Sequence, residues 1–200
     1  MKKFKDWISS RRKEAENMLF PPMVDKSMLK QHQYKLRNNE IAKVRFATEE
    51  DLEDIIKIQK ECYDGEAPWG RIAVMNELKK RTSFFLICHH LELPISFIGI
   101  SVRHEAVHVT NIATIPAYER HGLATFLLLT AAEIGKKMER KTMTLEVRIS
   151  NEGAKRLYRK IGFQDGRIKR NYYHNNGEDA LEMSFHLSKL DEFNDIQQAK

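Results

Sequence analysis

The chain has 200 residues, of which 42% are apolar and 31% charged, a composition that fits one globular domain with a sizeable core. Its formal net charge of +6 sits at one end, because residues 1–43 carry eleven Lys/Arg against five Asp/Glu while the remainder carries 23 of each sign. The two cysteines, Cys62 and Cys88, form no CxxC pair, and neither a signal-peptide core after Met1-Lys2-Lys3 nor an apolar run of transmembrane length is present, so the expectation is a soluble cytoplasmic protein without membrane attachment. No internal repeat or low-complexity segment interrupts the chain.

Taken in order, Phe4, Trp7, Ile8, Ala15, Met18 and Leu19 mark one face of a helix over 3–19 that Pro21-Pro22 would end. Residues 23–42 read as a polar, irregular linker. The basic arm of residues 1–43 suits an acidic partner such as ribosomal RNA or a membrane surface, or is a solvated charged tail. A first strand begins at Val44-Arg45-Phe46, and Thr48-x-x-Asp51 is a capping box for a helix whose Leu52, Ile55, Ile56 and Ile58 lead inward. Strands follow at Ser83–Cys88 and Ile95–Val102. His104-Glu105-Ala106-Val107-His108 matches the HExxH pattern of zinc proteases, but that site requires a helix, and β-branched residues at period two on both sides predict a hairpin turn at 104–106 instead. No metal site is expected.

The stretch from Val107 to Phe163 carries the chemistry. Strand Val107–Ile115 leads into Glu119-Arg120-His121-Gly122-Leu123-Ala124-Thr125, a small-residue corner at the start of a helix with Leu123, Phe126, Leu127, Ala131, Ile134 and Met138 at helical spacing. Close backbone approach at Gly122 and Ala124, with unpaired amides at a helix N-terminus, suits an anion such as a pyrophosphate. Strand Met143–Ile149 alternates, placing Thr144, Glu146 and Arg148 on one face. Ser150 is positioned to cap a helix with Ala154, Leu157, Tyr158 and Ile161 on its apolar face, ended by Gly162. A hairpin then runs to His174, turns at Asn175-Asn176-Gly177 and returns over Ala180–Leu187; residues 188–200 read as a frayed polar tail.

These residues resemble the GNAT family of acetyl-CoA-dependent N-acetyltransferases, whose pyrophosphate loop is written Gln/Arg-x-x-Gly-x-Gly/Ala; Glu119 departs from its first position. Thr110-Asn111-Ile112-Ala113-Thr114, Leu145-Glu146-Val147-Arg148-Ile149-Ser150-Asn151, Leu157-Tyr158, Gly162-Phe163, Arg170-Asn171-Tyr172-Tyr173 and Glu178-Asp179-Ala180 are together similar to its ribosomal-protein-alanine branch, the RimI type, over roughly residues 44–187. The resemblance implies an α/β (α+β) GNAT fold, with a mixed, mostly antiparallel central sheet, splayed parallel fourth and fifth strands, and helices on both faces. It divides the chain into an arm (1–43), a catalytic domain (44–187) and a tail (188–200).

For acetyl-CoA as cosubstrate, the resemblance implies that pantetheine lies along Ile112, Ala113 and Thr114, with a free backbone amide near Ala113 for the thioester carbonyl. It further implies pyrophosphate at Arg120, His121, Gly122, Leu123, Ala124 and Thr125, with Asn151 and Tyr158 completing the cofactor site. Glu146 fits a general base and Tyr158 a proton donor to the thiolate, against the plainer readings of a solvated strand residue and a core tyrosine. Trp69, after Pro68, and Tyr172 would border the acceptor, although a packed core tryptophan is an equal reading for Trp69. The function implied is acetyl transfer to a primary amine, foremost the N-terminal alanine of a ribosomal protein. A polyamine, an aminoglycoside, a lysine side chain, or a non-catalytic ribosome-associated role are the alternatives, with a zinc protease the weakest.

Overall fold

The structure, a computed structural model, describes residues 24–192, so the helix expected over 3–19 and the last eight residues lie outside it. Eight strands form one sheet: β1 (Gln33–Lys35), β2 (Ile41–Phe46), β3 (Ser83–His90), β4 (Leu93–Val102), β5 (Ala106–Thr114), β6 (Thr142–Arg148), β7 (Gln164–Tyr173) and β8 (Glu178–His186). Their order is β1-β2-β3-β4-β5-β6-β8-β7, and only the β5–β6 pair is parallel. The helices are α1 (Leu52–Cys62), α2 (Arg71–Lys79), α3 (Leu123–Lys137) and α4 (Glu152–Ile161). The parallel pair is therefore fifth and sixth here, because β1 precedes the strand with which the sequence reading began.

Strands β3 and β4 are buried at successive positions, from Phe84 to Cys88 and Ile95 to Ile98. Successive burial requires cover on both faces of a sheet. Helix α1, with α2 beside it, supplies one cover and α3 the other. The Thr48 box forms as expected: the Thr48 amide donates to Asp51 Oδ2 (2.7 Å), and Arg45 grips the same carboxylate through bonds of 2.7 and 2.5 Å. Burial alone would raise the Asp51 pKa, but these donors hold it below its ordinary value.

The expected linker is structured in part. Asp25 caps a short 3-10 turn, Lys26–Met28, then β1 pairs with β2, and Leu29 and Leu36 join the core at 3% and 2% exposure. Polar composition hid them because two apolar residues seven apart show no period over so short a segment. The frayed tail likewise begins later than expected, since Leu187 and Leu190 are buried. The β3–β4 connection tightens to Leu91-Glu92, both left-handed (φ 46° and 64°), which fits a two-residue hairpin turn.

One irregularity bends the centre of the sheet. Gly99 pairs with Asn111 but Ile100 with Val109, so Thr110 is an extra residue on β5. A methyl at Gly99 would lie 2.6 Å from the Phe85 ring and 2.9 Å from Thr110 Oγ1. Gly99→Ala should therefore destabilise the fold by about 1–3 kcal/mol through overpacking, read as a lower urea midpoint at unchanged slope. Wild-type stability would mean that Phe85 can move aside at no cost.

Candidate active site

Strands β5 and β6 pair at only three positions, Ala106 with Thr142, Val107 with Met143 and His108 with Thr144. Beyond His108 they separate, and the side of β5 that faces β6 has no strand partner. The Ala113 carbonyl accepts from Ser96 Oγ (2.8 Å) and the Ile115 amide donates to Ile95 O (3.0 Å), so these residues turn their backbone groups toward β4. Backbone groups alternate along a strand, which leaves those of Ile112 and Thr114 directed into the opening. The free amide expected near Ala113 thus belongs to Ile112 or Thr114, and not to Ala113 itself. Cys62 Sγ donates to the Thr114 carbonyl at 3.2 Å.

At the end of β5, Pro116–Tyr118 make a 3-10 turn and the chain enters α3 through two left-handed residues, Arg120 (φ 63°) and Gly122 (φ 89°). Gly122 is the N-cap residue and makes no side-chain cap, so the amides at the start of α3 are open to a ligand. The amides of Gly122 to Thr125 have no partner among the described residues, and His121 Nδ1 is buried without one. A corner of unpartnered amides therefore stands beside the open edge of β5, an arrangement whose chemistry fits an extended cosubstrate with a pyrophosphate. Glu119 is exposed at the foot of this corner and contributes no donor to it.

Across the opening, Glu146 sits on the polar face of β6 with only 7% of its side chain exposed. His108 Nε2 lies 3.1 Å from Glu146 Oε2, and its Nδ1 lies 2.8 Å from Thr144 Oγ1. A carboxylate can only accept, so Nε2 carries the ring proton toward Glu146. Lys169 Nζ bonds the other carboxylate oxygen, and the Tyr172 hydroxyl donates to Oε2 at 3.3 Å. Burial pushes the Glu146 pKa up, yet the bonds from His108 and Lys169 and their charges outweigh it and hold the carboxyl at about 2. Glu146 is thus no solvated strand residue but a buried carboxylate with its partners assembled.

The partners from β7 reach Glu146 because that strand is irregular. Lys169 pairs with Ala180 but Tyr173 with Glu178, which leaves two extra residues between them, and Asn171 is left-handed at φ 49°. Asp179 secures this bulge by accepting from the Asn171 amide (2.9 Å) and from Arg170 (2.8 Å). Bulges re-aim side chains: this one carries Tyr172, whereas Lys169 precedes it and is brought to the Glu146 face by one extra residue between Asp165 and Ile168. Glu178 accepts from the Ser150 amide (3.0 Å), the Ser150 hydroxyl (2.5 Å) and Arg148 (2.9 Å), which hold its carboxyl at about 2. Arg148 also lies 3.8 Å over the Tyr173 ring.

Tyr158, on α4, is buried against Phe163 with ring centroids 5.7 Å apart, and its hydroxyl has no hydrogen-bond partner among the described residues. Burial, followed by the nearby phenols of Tyr63 and Tyr173, pushes its pKa well up. The Tyr173 hydroxyl in turn lies 3.5 Å from the Glu146 carbonyl, so Tyr158 and Glu146 share Tyr173 as a neighbour. The cap of α4 is Asn151 rather than Ser150: Asn151 Oδ1 accepts from the Ala154 amide (3.0 Å), while Ser150 is taken by Glu178. Only the amide nitrogen of Asn151 remains for a cosubstrate.

Trp69 packs partly into the core, and its backbone is locked by buried Gln59, which accepts from the Trp69 amide (2.9 Å) and donates to its carbonyl (3.2 Å). Asn111 donates to the same Gln59 at 3.4 Å. Trp69 is therefore tied to β5 through α1 and stands apart from the Glu146 cluster, whereas Tyr172 belongs to it. His104 is exposed on the β4–β5 turn and His108 is buried on a strand, so HExxH forms no helical metal site. Elsewhere among the described residues Asp51, Asp54 and His89 gather, but Arg45 already holds Asp51.

Sequence reasoning missed His108, Lys169, Tyr173 and Gln59 as site residues. His108 had a signal in its alternation with Val107 and Val109 on a strand that would lie beside Glu146, but the HExxH pattern drew attention to metal. Lys169 had none, because plain alternation from Asp165 would put it on the opposite face, and only the extra residue between Asp165 and Ile168 moves it to the face of Ala180 and Glu146.

A scan against family models matches residues 52–163, more than half of the chain, to the Acetyltransferase (GNAT) family. A relative from Bacillus subtilis (strain 168), provisionally named a ribosomal protein bS18-alanine N-acetyltransferase, is 34% identical over 143 residues, which span 71% of this chain and 93% of that protein. The ribosomal protein bS18-alanine N-acetyltransferase of Escherichia coli (strain K12) is 33% identical over 123 residues, 60% of this chain and 82% of the relative. The crystal structure of the Escherichia coli ribosomal-protein-S18-alanine N-acetyltransferase superposes with a TM-score of 0.66 at 26% identity, covering 73% of this chain and 94% of that one. With the splayed strands, the anion corner and these matches in agreement, the chain belongs to the GNAT family of acetyltransferases, enzymes that use acetyl-CoA as cosubstrate.

Proposed function

We propose that this enzyme acetylates the α-amine of a protein N-terminus, foremost an N-terminal alanine of a ribosomal protein. The observation that carries this reading is the β7–β8 hairpin, which brings Lys169 and, from its Asp179-held bulge, Tyr172 onto Glu146 beside the opening between β5 and β6. The named activities of the Bacillus subtilis and Escherichia coli relatives support it.

Acetyl-CoA supplies an activated thioester; the residues of this chain bind, orient and handle charge. Ile112 and Thr114 offer backbone groups to the pantetheine arm, the corner from Arg120 to Thr125 takes the pyrophosphate, and the Asn151 amide nitrogen is available to the arm. Glu146, its carboxyl held low by its donors, is a weak acceptor for the proton of an α-ammonium. We therefore assign it the role of a fixed anion in place of the general base. It draws in the ammonium and steadies the positive charge that builds on the attacking nitrogen, while the proton leaves through water. Tyr158, whose proton is held firmly by burial, serves as donor to the departing thiolate. Trp69 and Tyr172 are proposed to border the acceptor. Residues 1–43, which carry the whole formal excess charge, are proposed to contact an acidic partner such as ribosomal RNA.

Glu146→Gln should lower kcat/KM about 100-fold, and Tyr158→Phe should lower kcat by a similar factor, far more than it weakens acetyl-CoA binding. A folded-state pKa of about 2 keeps Glu146 ionised throughout the working range. The kcat/KM profile should accordingly rise with pH to a plateau above about 8, set by the acceptor amine, and keep that midpoint in Glu146→Gln. Wild-type rates in both variants would remove the assigned roles, and a profile that loses its midpoint in Glu146→Gln would restore the general base.

The acceptor is tested with one peptide, presented once with a free N-terminal alanine and once with that terminus blocked and a lysine available. The free terminus should react faster, because its amine is about two pKa units easier to deprotonate than lysine. Preference for the blocked peptide, or for a polyamine over both, would assign the enzyme to side chains or small amines. Deleting residues 1–23 should reduce low-salt co-sedimentation with ribosomes; equal sedimentation would remove the proposed contact.

A further inference from the structure

The segment from Asp25 to Glu40, which precedes the region matched to the family, reaches the corner directly through Tyr34 and indirectly through Glu40 and His90. It is anchored by Leu29 and Leu36 in the core and by Lys137 Nζ of α3, which donates to the Met28 carbonyl at 2.5 Å. From this base the Tyr34 hydroxyl donates to the His121 carbonyl at 2.9 Å, and its ring lies on Phe126 of α3 at 4.6 Å. A methyl built on Gly122 would sit 2.4 Å from that hydroxyl. At the second contact, Glu40 lies 3.4 Å from His90 Nε2, His90 Nδ1 lies 2.8 Å from the Tyr118 hydroxyl, and the Tyr118 ring stands 6.0 Å from the His121 ring.

The His121 carbonyl and the Gly122 amide belong to one planar trans peptide, so they point in opposite directions. Fixing the carbonyl therefore fixes the amide. That peptide joins His121 to left-handed Gly122, and Arg120 just before it is left-handed too, a conformation that costs a non-glycine residue about 1–2 kcal/mol and is kept by its surroundings. Tyr34 provides the hold from one side, and the Gly122 amide, without a partner among the described residues, faces away from it. We propose that residues 25–40 form a strap whose Tyr34 hydroxyl, by holding the His121 carbonyl, aims the Gly122 amide at the pyrophosphate of acetyl-CoA and so sets cosubstrate affinity. Tyr34 is then a positioning residue, contributed from outside the matched family region. The inference rests on the reading of residues 120–125 as the pyrophosphate site.

The test is calorimetric titration of acetyl-CoA into the full chain and into Tyr34→Phe, with steady-state kinetics and hydrogen exchange on both. The phenylalanine keeps the ring on Phe126 and removes only the hydroxyl. Expected are a Kd and a KM for acetyl-CoA raised about three- to tenfold, from the loss of one hydrogen bond, with kcat and the acceptor KM within about twofold of wild type. By linkage, acetyl-CoA should raise exchange protection at residues 33–36 in the wild type and less so in the variant. Protection at 120–125 together with an unchanged Kd in Tyr34→Phe would overturn the strap alone. Absence of protection at 120–125 in the wild type would overturn the pyrophosphate reading and the strap with it. A loss confined to kcat, or equal in both Michaelis constants, would mark Tyr34 as a general packing residue and overturn the proposal.

Discussion

The site depends on a pairing that stops early. Strands β5 and β6 stay in register only from Ala106 to His108, and the Thr110 bulge turns β5 just beyond that point. Where parallel strands part, each exposes backbone donors and acceptors that must find another partner. A ligand with an extended, amide-bearing arm is such a partner, which ties the GNAT sheet to its cosubstrate. His108 stands at the fork, bonded to Thr144 and Glu146 on β6, and holds the last paired rung beside the first open one.

The same fork explains the electrostatics. Burying a carboxylate is costly unless it is paired, and Glu146 meets that cost with donors from three directions: His108 on β5, and Lys169 and Tyr172 on the bulged β7. The consequence is a low pKa and a carboxylate kept ionised beside the fork. Tyr158 is the opposite case, a buried hydroxyl without a charged partner whose proton is retained. Two side chains on adjacent elements are thus driven to opposite protonation behaviour by their surroundings.

The remaining acids of the hairpin are structural in a way that bears on the site. Asp179 holds the bulge, and Glu178 ties β8 to the turn between β6 and α4, so the geometry around Glu146 is set by residues that never face the opening. No described helix is long and apolar enough to cross a membrane.

Sequence alone determined the periodic parts: the strand of alternating Met143, Leu145 and Val147, the helix from Leu123, the Thr48 box, and the glycine corner before α3. Each is encoded within one helical or strand repeat, where side-chain spacing and backbone freedom act locally. Sequence also singled out Glu146, Tyr158 and the Arg170–Tyr173 motif, through their likeness to a family pattern. Tertiary structure alone decided which groups meet. His108 and Lys169 lie 38 and 23 residues from Glu146, and one extra residue between Asp165 and Ile168, invisible to period-two reasoning, determines that Lys169 lies on the face of the carboxylate. Tyr34 on the His121 carbonyl spans 87 residues. Such contacts depend on register and strand order, which follow from the packing of the whole sheet and leave no mark in any short window of the chain.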